Sequence, residues 1–252
     1  MRSVLAAYSG GVDSSFLLKV THDMLGNNLL AVIAKSPTYT KSELKEAAGF
    51  CRKYKIKYLV IETDELNNPR FAKNPKNRCF YCKDELFSKL KQIARKKGLN
   101  CVIDGSNADD ATDYRPGAKA KEKHGIRSPL QEAGLTKEGI RKLSKEMGLS
   151  VWNKPSLACL ASRFPYNSRI TKKDLKRINS AEEFLRGLGF KQVRVRHYNG
   201  LARIELPKDD IDTVLLTVSQ KIVNKFKKLG YNYITLDLEG YRSGSMNETF
   251  NK

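Results

Sequence analysis

The sequence specifies an α/β protein: a doubly wound parallel sheet over its first two thirds, followed by a smaller C-terminal α/β domain. Three observations predict this. Apolar runs of strand length alternate with helical patterns as far as residue 150. A Gly-Gly turn, within Ser9–Ser15, separates the first run from the first helical pattern. From Ile170 the rhythm changes to helix, two paired strands, helix and strand. The first domain is assigned to residues 1–166 and the second to 167–252, with the boundary near Tyr166.

Taken in order, Ser3–Tyr8, Leu29–Ala34, Lys57–Glu62 and Asn100–Asp104 are the strand-like runs. Helical spacing falls at Ser14–Leu25, Lys41–Tyr54, Lys83–Lys97 and Thr136–Met147. Thr40 and Thr136 stand where helix N-caps are needed, and Gly26, Gly98 and Gly148 follow helix ends. Strands spaced by helices imply a parallel sheet covered on both faces, with ligands outside the strand C-termini. Both Ser9–Ser15 and Asp104-Gly105-Ser106-Asn107 fall at such ends. In the second domain, a helix with apolar positions Leu175, Ile178, Ala181 and Leu185 leads to strands Gln192–His197 and Leu201–Leu206. A helix over Asp210–Leu229 and a strand over Asn232–Leu238 complete it, and the Lys/Asn-rich tail Gly244–Lys252 reads as loose.

The chain has 252 residues and a formal charge of +20. A basic surface attracts phosphorylated ligands, ATP and tRNA alike. The charge is spread evenly, roughly +13 before residue 167 and roughly +7 after it, with no basic tail, which weighs against a dedicated nucleic-acid segment. No apolar stretch approaches the ~20 residues of a membrane span, and the first strand begins almost at Met1, so a cytoplasmic protein without membrane contact is expected. Faces exposed to solvent and faces buried between copies look alike in sequence, so a homo-oligomer stays open.

Chemistry concentrates first in Ser9-Gly10-Gly11-Val12-Asp13-Ser14-Ser15. Two glycines let amide groups turn inward and a phosphate approach closely, while Ser9, Ser14 and Ser15 add hydroxyls and the helix start adds partial positive charge. The spacing is neither that of a Walker loop nor Gly-x-Gly-x-x-Gly. The Ser-Gly-Gly-x-Asp-Ser order resembles the PP-loop of ATP pyrophosphatases, which cleave ATP between its α- and β-phosphates and adenylate a substrate. Asp13 would repel phosphate, a conflict that a bridging Mg²⁺ removes.

Cys79 and Cys82, in Arg78-Cys79-Phe80-Tyr81-Cys82-Lys83, stand three apart just before a predicted helix, and this spacing lets both sulfurs reach one metal centre. Zinc, iron–sulfur and redox dithiols all use it. Cys159 is a third candidate ligand, no fourth thiol is available, and three thiols point to a 4Fe-4S cluster with one open iron, where sulfide is the natural guest. A zinc pair with Cys159 acting alone is the alternative. Cys51 and Cys101 read as small buried hydrophobes, and His124 and His197 as structural histidines.

With these motifs in hand, the chain resembles the LarE family of sulfur transferases. The matching runs are Ala7–Ser15, Arg78–Lys83, Asp104–Asp110, Asp113–Gly117, Arg127–Leu130 and Ala158–Tyr166, then Ala181-Glu182, Val193–Arg196 and Ala202–Glu205. The resemblance implies that ATP and Mg²⁺ adenylate a carboxylate of a phosphorylated acceptor, a pyridinium dicarboxylic acid mononucleotide, and that sulfur then displaces AMP in nickel-pincer cofactor synthesis. One branch of the family sacrifices the cysteine matching Cys159; another holds a 4Fe-4S cluster on three cysteines and transfers sulfide. Cys79 and Cys82 place this chain with the second, making Cys79, Cys82 and Cys159 the metal ligands. It further implies that Asp104, Asn107, Asp113 and Arg115 lie near the nucleotide. Glu182 is expected to contact metal or substrate, Arg194 and Arg196 to grip a phosphate from one strand face, and Arg163 to stabilise a thiolate or acyl phosphate. A PP-loop tRNA thiolase and a nucleotide sensor without catalysis are the competing functions.

Overall fold

Side-chain alternation along the central strands decides how the first part of the chain is layered. Strands β1 (Val4–Ala7), β2 (Leu29–Lys35), β3 (Tyr58–Glu62) and β4 (Cys101–Ile103) form a sheet of order β3-β2-β1-β4. All three pairings are parallel. Val4, Ala6, Ala31 and Ile33 turn to one face, into a core with Val12, Phe16, Phe50 and Ile140. Leu5, Val32 and Val102 turn to the other, against Phe87, Leu90 and Ala94. The period of two along each strand thus builds two cores from one sheet.

In chain order the helices are α1 (Val12–Leu25), α2 (Lys41–Lys53), α3 (Pro69–Ala72), α4 (Arg78–Lys96), α5 (Gly117–His124), α6 (Pro129–Glu132) and α7 (Lys137–Glu146). The computed structural model describes residues 1–111, 116–155, 158–242 and 244–250. These belong to two units, Met1–Phe71 with Lys76–Leu157, and Ala72–Pro75 with Ala158–Lys252. The division falls nine residues before Tyr166, so the Cys159 segment joins the second unit.

Thr40 caps α2 in a reciprocal capping box with Glu43, and the Thr136 hydroxyl accepts from Gly139 at the start of α7. Two helix starts differ from the sequence reading. Gly11 is the N-cap of α1, so Asp13 and Ser14 belong to its first turn. Helix α4 begins at Arg78, five residues before the predicted Lys83, which puts Cys79 and Cys82 inside its first turns.

In the second unit α8 (Lys172–Gly187) covers a sheet of β5 (Arg194–Tyr198), β6 (Leu201–Glu205) and β7 (Tyr233–Leu236). β5 and β6 are antiparallel, and β6 and β7 parallel. The helix predicted over Asp210–Leu229 is divided into α9 (Ile211–Thr213), a π-helical turn Val214–Val218 and α10 (Ser219–Lys228). Its core-facing residues Val214, Val218, Ile222 and Phe226 recur every four positions. That is wider than the 3.6 of an α-helix, and the π turn absorbs the excess. No helix among the described residues is long and apolar enough to cross a membrane.

The end of β4 presses on the start of α1. A Cβ added to Gly105 would stand 2.8 Å from the Ser14 Cα and 2.9 Å from its backbone nitrogen. Only glycine permits this approach, and it fixes where the Gly-Gly turn sits relative to the sheet. Gly105→Ala should therefore lower unfolding free energy by about 1–3 kcal/mol in chemical denaturation; wild-type stability in the variant would contradict the packing.

Candidate functional site

The Gly-Gly turn leaves β1 and enters α1 with its amide groups uncovered. No side chain caps α1 at Gly11, and Gly10 takes a φ of +75° while its Cα faces the Ala47 methyl of α2. An uncapped helix start preceded by two glycines is an anion-binding geometry. The Ser14 hydroxyl lies 3.0 Å from that of Ser9 and donates to the Gly11 carbonyl at 3.2 Å. Ser9 is exposed at the loop tip. Ser15, expected to offer its hydroxyl to phosphate, is instead fully buried with that hydroxyl 3.1 Å from the Tyr8 phenol. It braces the loop from behind, and burial raises the Tyr8 pKa well above its ordinary value.

Asp13 is the one carboxylate in the loop, and an ammonium faces it. Lys137 Nζ donates to both carboxylate oxygens at 2.8 and 2.7 Å, and the Asn107 amide reaches one of them at 3.4 Å. Asp104 is buried and accepts from Ser128 at 2.6 Å and from the Ser106 hydroxyl at 2.9 Å, tightening the turn after β4. Lys154 donates to the Gly10 carbonyl at 3.0 Å and to Glu46 at 2.8 Å. Asp113 and Arg115 lie outside the described residues. A single carboxylate beside serine hydroxyls is a donor set that suits Mg²⁺, which keeps waters and shares substrate oxygens.

Cys79 and Cys82 lie at positions i and i+3 of α4, neighbours along one helix face, with Cys79 exposed. This arrangement fits two thiolate ligands of one centre. No disulfide joins the five cysteines. Among the described residues no three His, Cys, Asp or Glu side chains are gathered into a group able to hold a metal ion. Cys51 is fully buried, and burial pushes its thiol up to about 12, so it packs as a hydrophobe. Cys101 is half-buried beside the same core.

In the second unit Cys159 immediately precedes a 3₁₀ turn, Leu160–Arg163, whose last residue folds back beneath it. Arg163 is buried; its Nη1 donates to the carbonyls of Ala158 at 2.7 Å and Cys159 at 3.3 Å, and to the Ser162 hydroxyl at 2.8 Å. Its other nitrogens grip the Glu182 carboxylate at 2.7 and 3.0 Å. Glu182, on α8, also accepts from Arg186 and from the Val195 amide. Burial opposes ionisation of Glu182, yet Arg163 and its other partners hold the carboxyl below its usual range.

Arg194 and Arg196 share a face of β5, as their alternation predicted, and that face is buried. Arg196 donates to both oxygens of the fully buried Glu205, to the Ser162 carbonyl and to Ser245. Ser245 belongs to a 3₁₀ run in the tail, a segment that sequence alone gave no structure. Arg194 lies over the Tyr241 ring, and burial together with Arg163 pulls its guanidinium down to about 10. Three guanidiniums thus crowd a poorly solvated site, with Glu182 and Glu205 as their counter-charges. His197 is buried between the rings of Phe164 and Tyr231, a structural histidine.

No family model matches the chain. It is 39% identical to the pyridinium-3,5-bisthiocarboxylic acid mononucleotide synthase of Lactiplantibacillus plantarum, covering 100% of this chain and 91% of that protein. The chain belongs to the LarE family of ATP-dependent sulfur transferases. An uncharacterized Synechocystis protein is 46% identical over 98% of the chain and 93% of its own length. A glutamine-hydrolyzing GMP synthase component of Thermoplasma volcanium is 26% identical over 160 residues, 58% of this chain and 51% of that protein. That shorter match fits the wider superfamily of PP-loop ATP pyrophosphatases.

Within this LarE-family chain, sequence reasoning found the loop and the arginines but missed Lys137, Lys154 and Glu205. Thr136 marked the helix that presents Lys137, but nothing local marked the lysine among the chain's 47 basic residues. Because Glu182 has a depressed pKa, its pairing contributes stability above about pH 4.5 that is lost as pH falls through the folded value. Glu182→Gln should lower unfolding free energy by about 3–5 kcal/mol at neutral pH. Glu183→Gln, on the exposed side of α8, should stay within about 0.5 kcal/mol in the same denaturation series. Equal stability of the two variants would contradict this account.

Proposed function

We propose that this LarE-family chain adenylates a carboxylate of a pyridinium dicarboxylic acid mononucleotide with ATP and then replaces AMP by sulfur, in nickel-pincer cofactor synthesis. The observation that carries the reading is the uncapped start of α1, preceded by two glycines and carrying Asp13 in its first turn. Inward amides hold the β- and γ-phosphates there, and Ser9 and Ser14 add hydroxyl contacts. Asp13 is the group that would hold Mg²⁺, which would supply charge neutralisation for the departing pyrophosphate.

The first step forms a bond between an acceptor carboxylate oxygen and the α-phosphorus while the bond to the β-phosphate oxygen breaks. Activation is needed because a carboxylate oxygen leaves poorly and AMP leaves well. In the second step a sulfide attacks the acyl carbon, AMP departs with the bonding pair, and a thiocarboxylate remains. Cys79, Cys82 and Cys159 are the residues that would hold a 4Fe-4S cluster, which would supply the sulfide. Arg163 acts on Cys159 through the backbone: bonded to the Ala158 and Cys159 carbonyls and anchored by Glu182, it fixes the turn that carries the thiol. Glu182 is therefore assigned as the anchor of Arg163 and only indirectly as a substrate residue. Arg194 and Arg196 supply the positive surroundings that favour the acceptor's phosphate.

Two measurements test the reading. Asp13→Asn should abolish Mg²⁺-dependent release of pyrophosphate from ATP in the presence of acceptor; unaltered turnover would refute its role. Anaerobically reconstituted protein should bind about four irons per chain and keep Cys159 intact by mass spectrometry after turnover with sulfide. Stoichiometric zinc without iron would remove the cluster, and loss of sulfur from Cys159 would make it a consumed donor.

A further inference from the structure

The pairing of Lys137 with Asp13 links two parts of the first unit that lie 124 residues apart in the chain. Lys137 Nζ stands within hydrogen-bond distance of both carboxylate oxygens, the position a cation takes on a carboxylate. Its backbone is fixed, and among the described residues its ammonium bonds to Asp13 alone. The residue opens α7, its N–H donates to Asp109 at 2.8 Å, and Thr136 caps the helix beneath it. The stem of four carbons gives the ammonium several ångströms of travel from that anchor. Neither partner is sealed from water: the side chains are 33% and 20% exposed, so the contact can exchange. Lys154, the other ammonium bonded to the loop, is occupied by the Gly10 carbonyl and Glu46.

We propose that Lys137 is a phosphate-binding residue that neutralises Asp13 in the nucleotide-free protein and moves to the β- and γ-phosphates when Mg²⁺ and ATP enter. The proposal rests on reading the loop as the ATP site. The ammonium serves the same charge twice. Without nucleotide it is the counter-ion of the Asp13 carboxylate. With nucleotide it offers three donors to oxygens that gain charge as pyrophosphate departs. It follows that Lys137 competes with a divalent cation for Asp13 when no nucleotide is present, and cooperates with that cation when nucleotide is bound. No merely structural ion pair has both properties.

The test uses the full chain with Lys137→Met and Lys137→Arg, following ATP by calorimetry and Mn²⁺ by paramagnetic resonance. Lys137→Met should bind ATP about 10-fold more weakly in the presence of Mg²⁺, the loss expected for one charge-assisted contact. The same variant should bind Mn²⁺ without nucleotide more tightly than wild type, because the competing ammonium is gone. Lys137→Arg should restore most of the ATP affinity and the weak Mn²⁺ binding. Unchanged affinity for both ligands in Lys137→Met would overturn the proposal, as would weakened ATP binding with Mn²⁺ affinity unaltered or lowered. If Lys137→Met is too unstable to measure, Lys137→Arg with wild-type ATP affinity but tightened Mn²⁺ binding would overturn it equally. A wild-type chain that binds no ATP at all would instead remove the reading of the loop on which the proposal stands.

Discussion

A carboxylate at a phosphate-binding loop repels phosphate unless a cation offsets it, and the first unit sets an ammonium against Asp13. The Gly-Gly turn joins β1 to α1, and the carboxylate is Asp13 in the first turn of α1. The cation comes from the start of α7, and the amide of Asn107 comes from the loop after β4. Parallel pairing of β4 with β1 brings the ends of both strands to one edge of the sheet. The close approach of Gly105 to Ser14 then sets the height of the turn above that edge. Sheet order, a single glycine and one ammonium thus act on the same few atoms.

The second unit solves a different electrostatic problem. Arg163, Arg194 and Arg196 are almost wholly buried, and so are Glu182 and Glu205. Buried ion pairs add little net stability over apolar packing, but removing one partner is costly, so they specify geometry more than they stabilise. Here the geometry specified is the backbone around Cys159. One face of Arg163 is locked to a carboxylate on α8, leaving the other to hold the carbonyls of the cysteine turn. Arg196 fixes the next carbonyl, that of Ser162, from β5. A thiol carried on a 3₁₀ turn acquires the rigidity of a helix and a strand.

The five cysteines separate on the same physical grounds. Cys51 is buried in the core with its thiol held protonated, whereas Cys79 is exposed in the first turn of α4. Cys82, three residues on, is half-buried on the same helix. A Cys-x-x-Cys run suits zinc, iron–sulfur or redox work equally well.

Local sequence was enough for the elements and the loop. Apolar runs of strand length marked all four parallel strands, the central ones buried on both faces, and the 3.6 repeat marked the principal helices, which bury one. The Gly-Gly turn was legible because its constraint is local: inward-facing amides need residues without a Cβ, and those are adjacent in the chain. The same signals misplaced the start of α4, where no side chain caps the helix, and missed the π turn of Val214–Val218, whose spacing departs only slightly from that of an α-helix. Which charges meet was settled by the folded chain alone. Lys137 reaches Asp13 across 124 residues, and Glu205 collects Arg196, Arg203 and Ser245. A lone lysine or glutamate carries no local signature of its partner, since the pairing energy exists only after the sheet has brought the two together.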